Sequence, residues 1–357
     1  MKHPLPDMDE SAPRSIYDRD ETADEDPWFL PPTDEDEPPL PIPRRAVRSL
    51  ADPAEWLAAE ARLAADLARA AADLARLDAV VEGSGEGMVT RLALIEAEAM
   101  ILAEGGRVRR EQIGRDMMGR GGVPGLAADL GRARWALRRL SARPGAPEGL
   151  RGFLGLHETE APAALPESAR TRPAGPEFDA AEAEFRAGMD EMAGAHPLTR
   201  AAYAFRLWQL AGLSAPGSVA EPAVAAARIA AQENRLLGFA PMAAARAVWT
   251  SGGEADERLS RWLGATGNGA MSALMSVRRV DDWAKATSAV VSGWKGGTPL
   301  RMVEALRARP LLDTEDAAVL AGISRDSAER LLARMQSHGM IRELTGQGRF
   351  RLWSAAA

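Results

Sequence analysis

The stretch Leu311–Trp353 reads LLDTEDAAVLAGISRDSAERLLARMQSHGMIRELTGQGRFRLW. Two short helical patterns lie on either side of a tight turn, and an alternating apolar and polar pattern that is typical of a hairpin follows them. Gly322 lies in the turn, at a position that needs a positive φ. The order of these elements predicts a winged helix-turn-helix. The residues expected at the contact between the two helices are small or apolar: Ala317, Ala318, Ala321, Ile323, Ala328 and Leu331.

The second helix of this unit separates an apolar face from a basic one. Ser324 is a suitable N-cap, and apolar residues recur at helical spacing from Ala328 to Met335. A recognition helix presents its first turns to base edges in the major groove, where an arginine can form two hydrogen bonds with guanine. The sequence therefore predicts a DNA-reading face made of Ser324, Arg325, Ser327, Arg330 and Arg334.

The end of the chain is expected to form the wing. Arg349 and Arg351 alternate with apolar residues and should share one face, where basic side chains usually meet phosphate groups. From Thr298 onward there are nine Arg and seven acidic residues, a net charge of +2 that modestly supports DNA binding. A winged helix that contacts only another protein is the alternative. The predicted hairpin pairs Met340–Leu344 with Arg349–Trp353 across Thr345–Gly348, after a helix end at Gly339.

The composition favours a mainly helical, cytoplasmic protein. Ala and Leu are abundant and aromatic residues make up 5% of the 357 residues, so the body should be helical. The absence of cysteine excludes disulfides, thiol nucleophiles and Cys-ligated metals, and it agrees with a reducing compartment. Neither a signal peptide nor an apolar run long enough to cross a membrane occurs. The four histidines are too scattered for a metal site, and we expect neither a metal nor a cofactor.

The first 45 residues are expected to form a disordered, acidic, Pro-rich tail. Residues 1–43 hold 13 acidic residues against Lys2, Arg14 and Arg19, a net charge of −10, and they show no apolar periodicity. Since the whole chain carries −7, the remainder carries +3, which permits nucleic-acid binding. Trp28-Phe29-Leu30 lies between two acidic blocks and is a candidate docking motif for a protein partner, although such tails are more commonly only solvated.

Residues 52–295 are predicted to form a helical body and residues 298–357 the winged helix-turn-helix. The first helix, Pro53–Val81, carries a leucine stripe that needs a partner, either the body or a second copy of the chain in a homodimer. Residues 142–176 are rich in Pro and Gly and should form a long loop. Later helices are expected at 221–237, 241–249, 254–264 and 270–292, with Gly267-Asn268-Gly269 as a turn. The stripe consists of Leu57, Leu63, Leu67, Leu74 and Leu77.

Three segments resemble parts of the Fic family, in which a helical domain carries an adenylyl-transfer site and sometimes a C-terminal winged helix. Ile101–Gly105 is similar to the end of the Fic inhibitory helix, although Met100 stands where that helix has Ser or Thr. His196–Leu210, HPLTRAAYAFRLWQL, is similar to the helix before the Fic active-site loop, and Met340–Trp353 resembles the wing. The arrangement is more similar still to an uncharacterised family of rhizobial and related alphaproteobacterial proteins, which pairs a domain of unknown function with a C-terminal helix-turn-helix DNA-binding domain.

The chain departs from the Fic family at its catalytic motif, HPFx[D/E]GNGR. That motif supplies a His as general base, an acid that holds a metal and a Gly-rich nest for phosphate. After Leu210 the chain instead reads AGLSAPGSVAEP, and Gly267-Asn268-Gly269 has neither the upstream His-Pro-Phe nor the following Arg. The resemblance therefore implies a Fic-like helical body without catalytic residues, used for dimerisation or for sensing.

These observations favour a cytoplasmic DNA-binding protein, a transcriptional regulator that binds double-stranded DNA through its C-terminal winged helix. Two alternatives remain. One is a Fic-type nucleotidyl (AMP) transferase with a divergent active site, which would depend on Mg²⁺. The other is a non-catalytic adaptor whose acidic tail and first helix recruit a protein partner.

Overall fold

The computed structural model describes residues 51–119, 125–147, 149–156, 172–345 and 351–357. Within these ranges the chain is mainly helical, with three short strands near the carboxyl end, as the composition predicts. The predictions for the acidic tail and for Trp28-Phe29-Leu30 lie outside the described residues. No helix in the described ranges combines the length and the apolar composition that crossing a bilayer requires.

The first half of the body is built from five helices. The first begins at Asp52, whose carboxylate accepts a hydrogen bond from the backbone of Ala54 at 2.9 Å. The predicted helix Pro53–Val81 is interrupted at Leu63, so its two parts are separate helices. The five are α1 (Pro53–Arg62), α2 (Ala64–Ser84), α3 (Glu86–Ala103), α4 (Arg110–Met117) and α5 (Ala127–Leu140).

The leucine stripe on α1 and α2 is mostly covered by the body itself. Leu74 and Leu77 are buried in the body core, and Leu63 and Leu67 are half-buried against it. Leu57, at the start of the stripe, is 41% exposed. Four of the five leucines therefore have a partner within the chain.

The second half of the body continues with α6 (Leu150–Leu154), α7 (Pro176–Glu191), α8 (Pro197–Leu210), α9 (Ala220–Ala230) and the 3-10 helix η1 (Ala243–Thr250). The expectation of an uninterrupted loop at 142–176 is wrong in its described part, because α6 lies there. Leu150, Phe153 and Leu154 of α6 are buried in the body core, so apolar burial outweighs the local content of Pro and Gly. Residues 157–171 of the predicted loop lie outside the described ranges.

The longest helix, α10 (Ala255–Val291), has 37 residues and replaces the two helices predicted at 254–264 and 270–292. The expected turn at Gly267-Asn268-Gly269 is therefore wrong. A Cβ atom at Gly269 would lie 1.8 Å from the carbonyl oxygen of Pro241. Gly269 thus allows the helix to approach the backbone before η1, and a glycine inside a helix can serve close packing as well as a turn.

The carboxyl end contains α11 (Thr298–Ala308), β1 (Leu312–Asp313), α12 (Thr314–Ala321), α13 (Arg325–Ser337), β2 (Ile341–Glu343) and β3 (Leu352–Ala355). The three strands form one antiparallel sheet in the order β1-β3-β2. Ile341 faces Ala355 and Glu343 faces Trp353 in the register. The predicted pairing of Met340–Leu344 with Arg349–Trp353 is wrong by three residues, since Glu343 faces Trp353 where the prediction required residue 350. Trp353 also pairs with Leu312 of β1.

Two clusters of buried residues organise the described chain. One fills the body, and the other fills the carboxyl end and includes Leu332, Met335 and Trp353. Trp283 and Val291 of α10 belong to the second cluster, so α10 contributes to both. The Trp283 indole donates a hydrogen bond to the carbonyl of Met340 at 2.6 Å. The last turns of α10 therefore form part of the core of the carboxyl end, which begins before Gly296-Gly297.

Candidate nucleic-acid interface

The turn between α12 and α13 has the local geometry that the sequence predicts. Gly322 adopts the left-handed conformation with φ 64°, which residues other than glycine rarely adopt. Ser324 caps α13, and its hydroxyl accepts a hydrogen bond from the Ser327 backbone at 3.3 Å. Asp313 caps α12 in the same way through the Asp316 backbone at 2.7 Å. Both helix starts are thus determined by short-range hydrogen bonds.

The apolar face of α13 is buried as predicted. Ala328, Leu332 and Met335 are fully buried, and Leu331 is half-buried against the same cluster. The facing helix α12 contributes small buried residues, and Ile323 packs beside them. The buried residues of α12 are Ala317, Ala318 and Ala321. Small contact residues let α12 and α13 pack closely. The side of α13 that faces away from α12 is exposed to solvent.

Arg325, at the first position of α13, and Arg330 are both exposed. Neither forms an ion pair with any described residue, and the hydrogen bond from Arg330 Nη2 to Ser327 Oγ is long, at 3.4 Å. The Ser324 and Ser327 hydroxyls are 2.9 Å apart. The first two turns of α13 therefore present two unpaired guanidinium groups and two hydroxyls.

The exposed side of α13 is not uniformly basic, because Asp326 and Glu329 also lie there. Acidic side chains disfavour contact with phosphate, but a carboxylate can accept a hydrogen bond from the amino group of cytosine.

Arg334 is exposed but is held against an aromatic ring. Its guanidinium lies 3.8 Å from the ring centre of Trp294, a cation–π distance, and the His338 ring packs on the same indole at 5.2 Å. No local sequence pattern indicates this contact, because Trp294 precedes α11 and meets α13 only in the folded chain. The contact with Trp294 therefore restricts the orientation of the Arg334 side chain near the carboxyl end of α13.

The predicted wing is only partly described. Arg349 lies outside the described residues. Arg351 is half-buried and immediately precedes β3, so it does not pair with β2 as the predicted register required. Arg342 on β2 is exposed, with no ion pair in the described ranges. Arg342 is not among the predicted DNA contacts, although its place in the alternating strand pattern indicates an exposed side chain.

The carboxyl end is attached to the body through α11 and Arg309. The Arg91 guanidinium donates to the carbonyls of Leu306 and Arg309, each at 3.0 Å. Arg307 binds the Asp281 carboxylate of α10 at 2.8 Å. The face formed by Arg325 and Arg330 keeps its exposure in this arrangement.

Two residues in the segments that resemble the Fic family cap helices of the body. His196 caps α8, and its Nδ1 accepts a hydrogen bond from the Leu198 backbone at 3.1 Å. Glu104 lies at the start of α9, where its Oε1 accepts hydrogen bonds from the backbones of Val219 and Ala220, each at 2.7 Å. A carboxylate at a helix N-terminus satisfies amide groups that would otherwise be free to bind an anion.

No cluster of three or more His, Asp or Glu side chains suited to a metal ion occurs within the described ranges. No model of a known protein family matches the chain, and no curated protein sequence matches it.

Proposed function

We propose that residues 298–357 form a winged helix-turn-helix that binds double-stranded DNA, and that the protein is a transcriptional regulator. The observation that carries this proposal is the pair of exposed, unpaired guanidinium groups of Arg325 and Arg330 on the first turns of α13. The element order α11-β1-α12-α13-β2-β3 with a β1-β3-β2 sheet supports it, because a winged helix-turn-helix has this layout.

In the proposed complex α13 is the recognition helix. Its amino-terminal half enters the major groove, where Arg325 and Arg330 reach guanine edges and Ser327 contacts a base or a phosphate. Arg334 and Arg342 contact the phosphate backbone, which fixes the orientation of the protein without reading sequence. Asp326 and Glu329 restrict which bases are accepted, because a carboxylate facing an acceptor group on a base is unfavourable.

The proposal assigns the body a Fic-like helical architecture without catalysis. Glu104 occupies the N-terminus of α9, the helix that follows the loop at 211–219. That loop supplies no acidic residue and no histidine. A body of this kind serves dimerisation or the sensing of a ligand.

The proposal is tested by selecting bound sequences from fragmented genomic DNA and then titrating the selected site by fluorescence anisotropy. The variant Arg325→Ala/Arg330→Ala should lose specific binding by at least about 30-fold, since each base contact contributes about 1–3 kcal/mol. The matched control is Arg246→Ala/Arg278→Ala, which removes two exposed, unpaired arginines from the body.

The control variant should bind the selected site within about twofold of the wild type. If both variants bind equally well, α13 is not the recognition helix. If no genomic sequence is enriched over a random pool, the assignment of the protein as a regulator is wrong.

A further inference from the structure

A cavity of about 580 Å³ lies in the body. It opens between the carboxyl end of α8, the loop at 211–219 and the residues that follow η1. Its size falls within the range of small-molecule sites, roughly 300–1,000 Å³. The polar side chains that line it include Arg206, Gln209, Ser218, Thr250 and Arg258.

Arg206, on α8, is a half-buried cation without a counter-ion. It forms no ion pair and no hydrogen bond with any residue of the described ranges. Burial lowers the pKa of its guanidinium, because removal from water disfavours the charged form. A partly desolvated charge costs free energy unless it is paired, and a bound anion would offset that cost.

Arg258, in the first turns of α10, faces the same cavity and is held by backbone groups. Its Nη1 donates to the carbonyl of Ser251 at 3.1 Å, and its Nε donates to the carbonyl of Gly253. Burial lowers the pKa of Arg258, the positive charges of Arg206 and Arg261 lower it further, and Glu254 opposes the change. Two like charges are thus held close together at one cavity.

The two acidic side chains that bond to the adjacent loop are already engaged. Glu104 accepts hydrogen bonds from the first amides of α9. Glu221 pairs with Arg172 at 2.6 Å and accepts a hydrogen bond from the Ser214 hydroxyl. The positive charge of Arg206 and Arg258 is therefore not neutralised by this loop.

We propose that the cavity binds a small organic molecule through a compact dianionic group, a phosphate monoester or a dicarboxylate, held between Arg206 and Arg258. Two guanidinium groups match a dianion in charge, and the planar fork of each can donate two parallel hydrogen bonds to oxygen atoms. Pro216, Pro222 and Trp249 line the same cavity and supply apolar surface for the organic part. This inference does not depend on DNA binding.

The test uses the full chain and three probes: inorganic phosphate, phenyl phosphate and succinate. Binding is measured by calorimetry and by the rise in thermal midpoint, against sodium chloride at matched ionic strength. We expect phenyl phosphate to bind more tightly than inorganic phosphate, because its ring fills the apolar side. A preference for succinate would instead assign the site to dicarboxylates.

The variant Arg206→Gln should weaken probe binding by at least about tenfold, since one charge-assisted contact is lost. Without a probe it should be at least as stable as the wild type, because the repulsion of Arg258 is removed. The control Arg278→Gln, an exposed position on α10, should leave probe binding unchanged. The proposal fails if none of the three probes acts differently from chloride, or if Arg206→Gln binds as the wild type does.

Discussion

Glu96, on α3, is a buried carboxyl group whose titration should control the stability of the body. It is 2% exposed, and one of its oxygens accepts a hydrogen bond from the Ala243 backbone at 2.9 Å. The other oxygen has no hydrogen-bond partner in the described ranges. Burial raises the pKa of Glu96 from 4.5 to about 7, although hydrogen bonds from the backbones of Met242 and Ala243 act in the opposite direction.

The folded protein therefore holds the Glu96 proton more tightly than the unfolded chain does. The resulting stabilisation is fully present below pH 4.5 and is lost as the pH rises through about 7. A separation of about 2.5 between the two pKa values corresponds to roughly 3 kcal/mol of unfolding free energy. Above that range the folded state must hold a buried carboxylate with one unpaired oxygen.

Glu96→Gln removes this titration and keeps an oxygen that can accept from the Ala243 backbone. At pH 8.5 we expect the variant to be more stable than the wild type by about 2–3 kcal/mol, and at pH 4.5 the two should be equal. Urea unfolding followed by circular dichroism at both pH values measures the difference. Glu233→Gln, at an exposed position, is the control. Equal losses of stability with pH in the wild type and Glu96→Gln would refute the reasoning.

Asp78→Ala should destabilise the protein by about 3–5 kcal/mol in urea unfolding. The buried Asp78 carboxylate accepts hydrogen bonds from the backbones of Arg235, Leu236 and Leu237 at 2.7–3.1 Å, and the variant leaves these amides without an acceptor. A loss of stability under about 1 kcal/mol would contradict this reasoning. Gly87→Ala should lower the free energy of unfolding by more than about 3 kcal/mol, because its Cβ would lie 1.5 Å from the Ala308 carbonyl oxygen. Gly83→Ala is the control and should leave the stability nearly unchanged, because no atom lies within 4 Å of its Cβ position. Arg334→Ala should weaken specific and non-specific DNA binding alike and reduce the salt slope by about one; an effect limited to the selected site would instead place Arg334 on a base.

The local structure near the carboxyl end was predictable because its signals are short-range. Gly322 and Ser324 each act through residues within five positions in the chain, so their neighbours in sequence contain the information. The hairpin register was not predictable in this way. The structure also pairs Trp353 of β3 with Leu312 of β1, 41 positions earlier in the chain, and no local pattern reveals such a contact.

The candidate sites show the same division. Exposure of Arg330 follows from helical periodicity, which places it opposite the buried residues of α13. Arg325 lies three residues before the buried Ala328 and is exposed at the first position of the helix. The arginine cavity could not be predicted, because Arg206 and Arg258 are 52 positions apart and come together only through the packing of α8, α10 and η1. The turn predicted at Gly269 was wrong for a related reason. This glycine lies inside α10, where the Pro241 backbone packs against it too closely for a Cβ atom.

Helix α10 runs without a break from Ala255 to Val291 and contributes residues to both buried clusters. Arg258 lies in its first turns and Trp283, bonded to the Met340 carbonyl, lies near its last ones. The 25 residue steps from Arg258 to Trp283 span roughly 38 Å at about 1.5 Å per residue. If the helix tilted by about 2° about Arg258, Trp283 would move by more than about 1 Å over this length. Because residues of α10 belong to both buried clusters, such a tilt would displace residues of both.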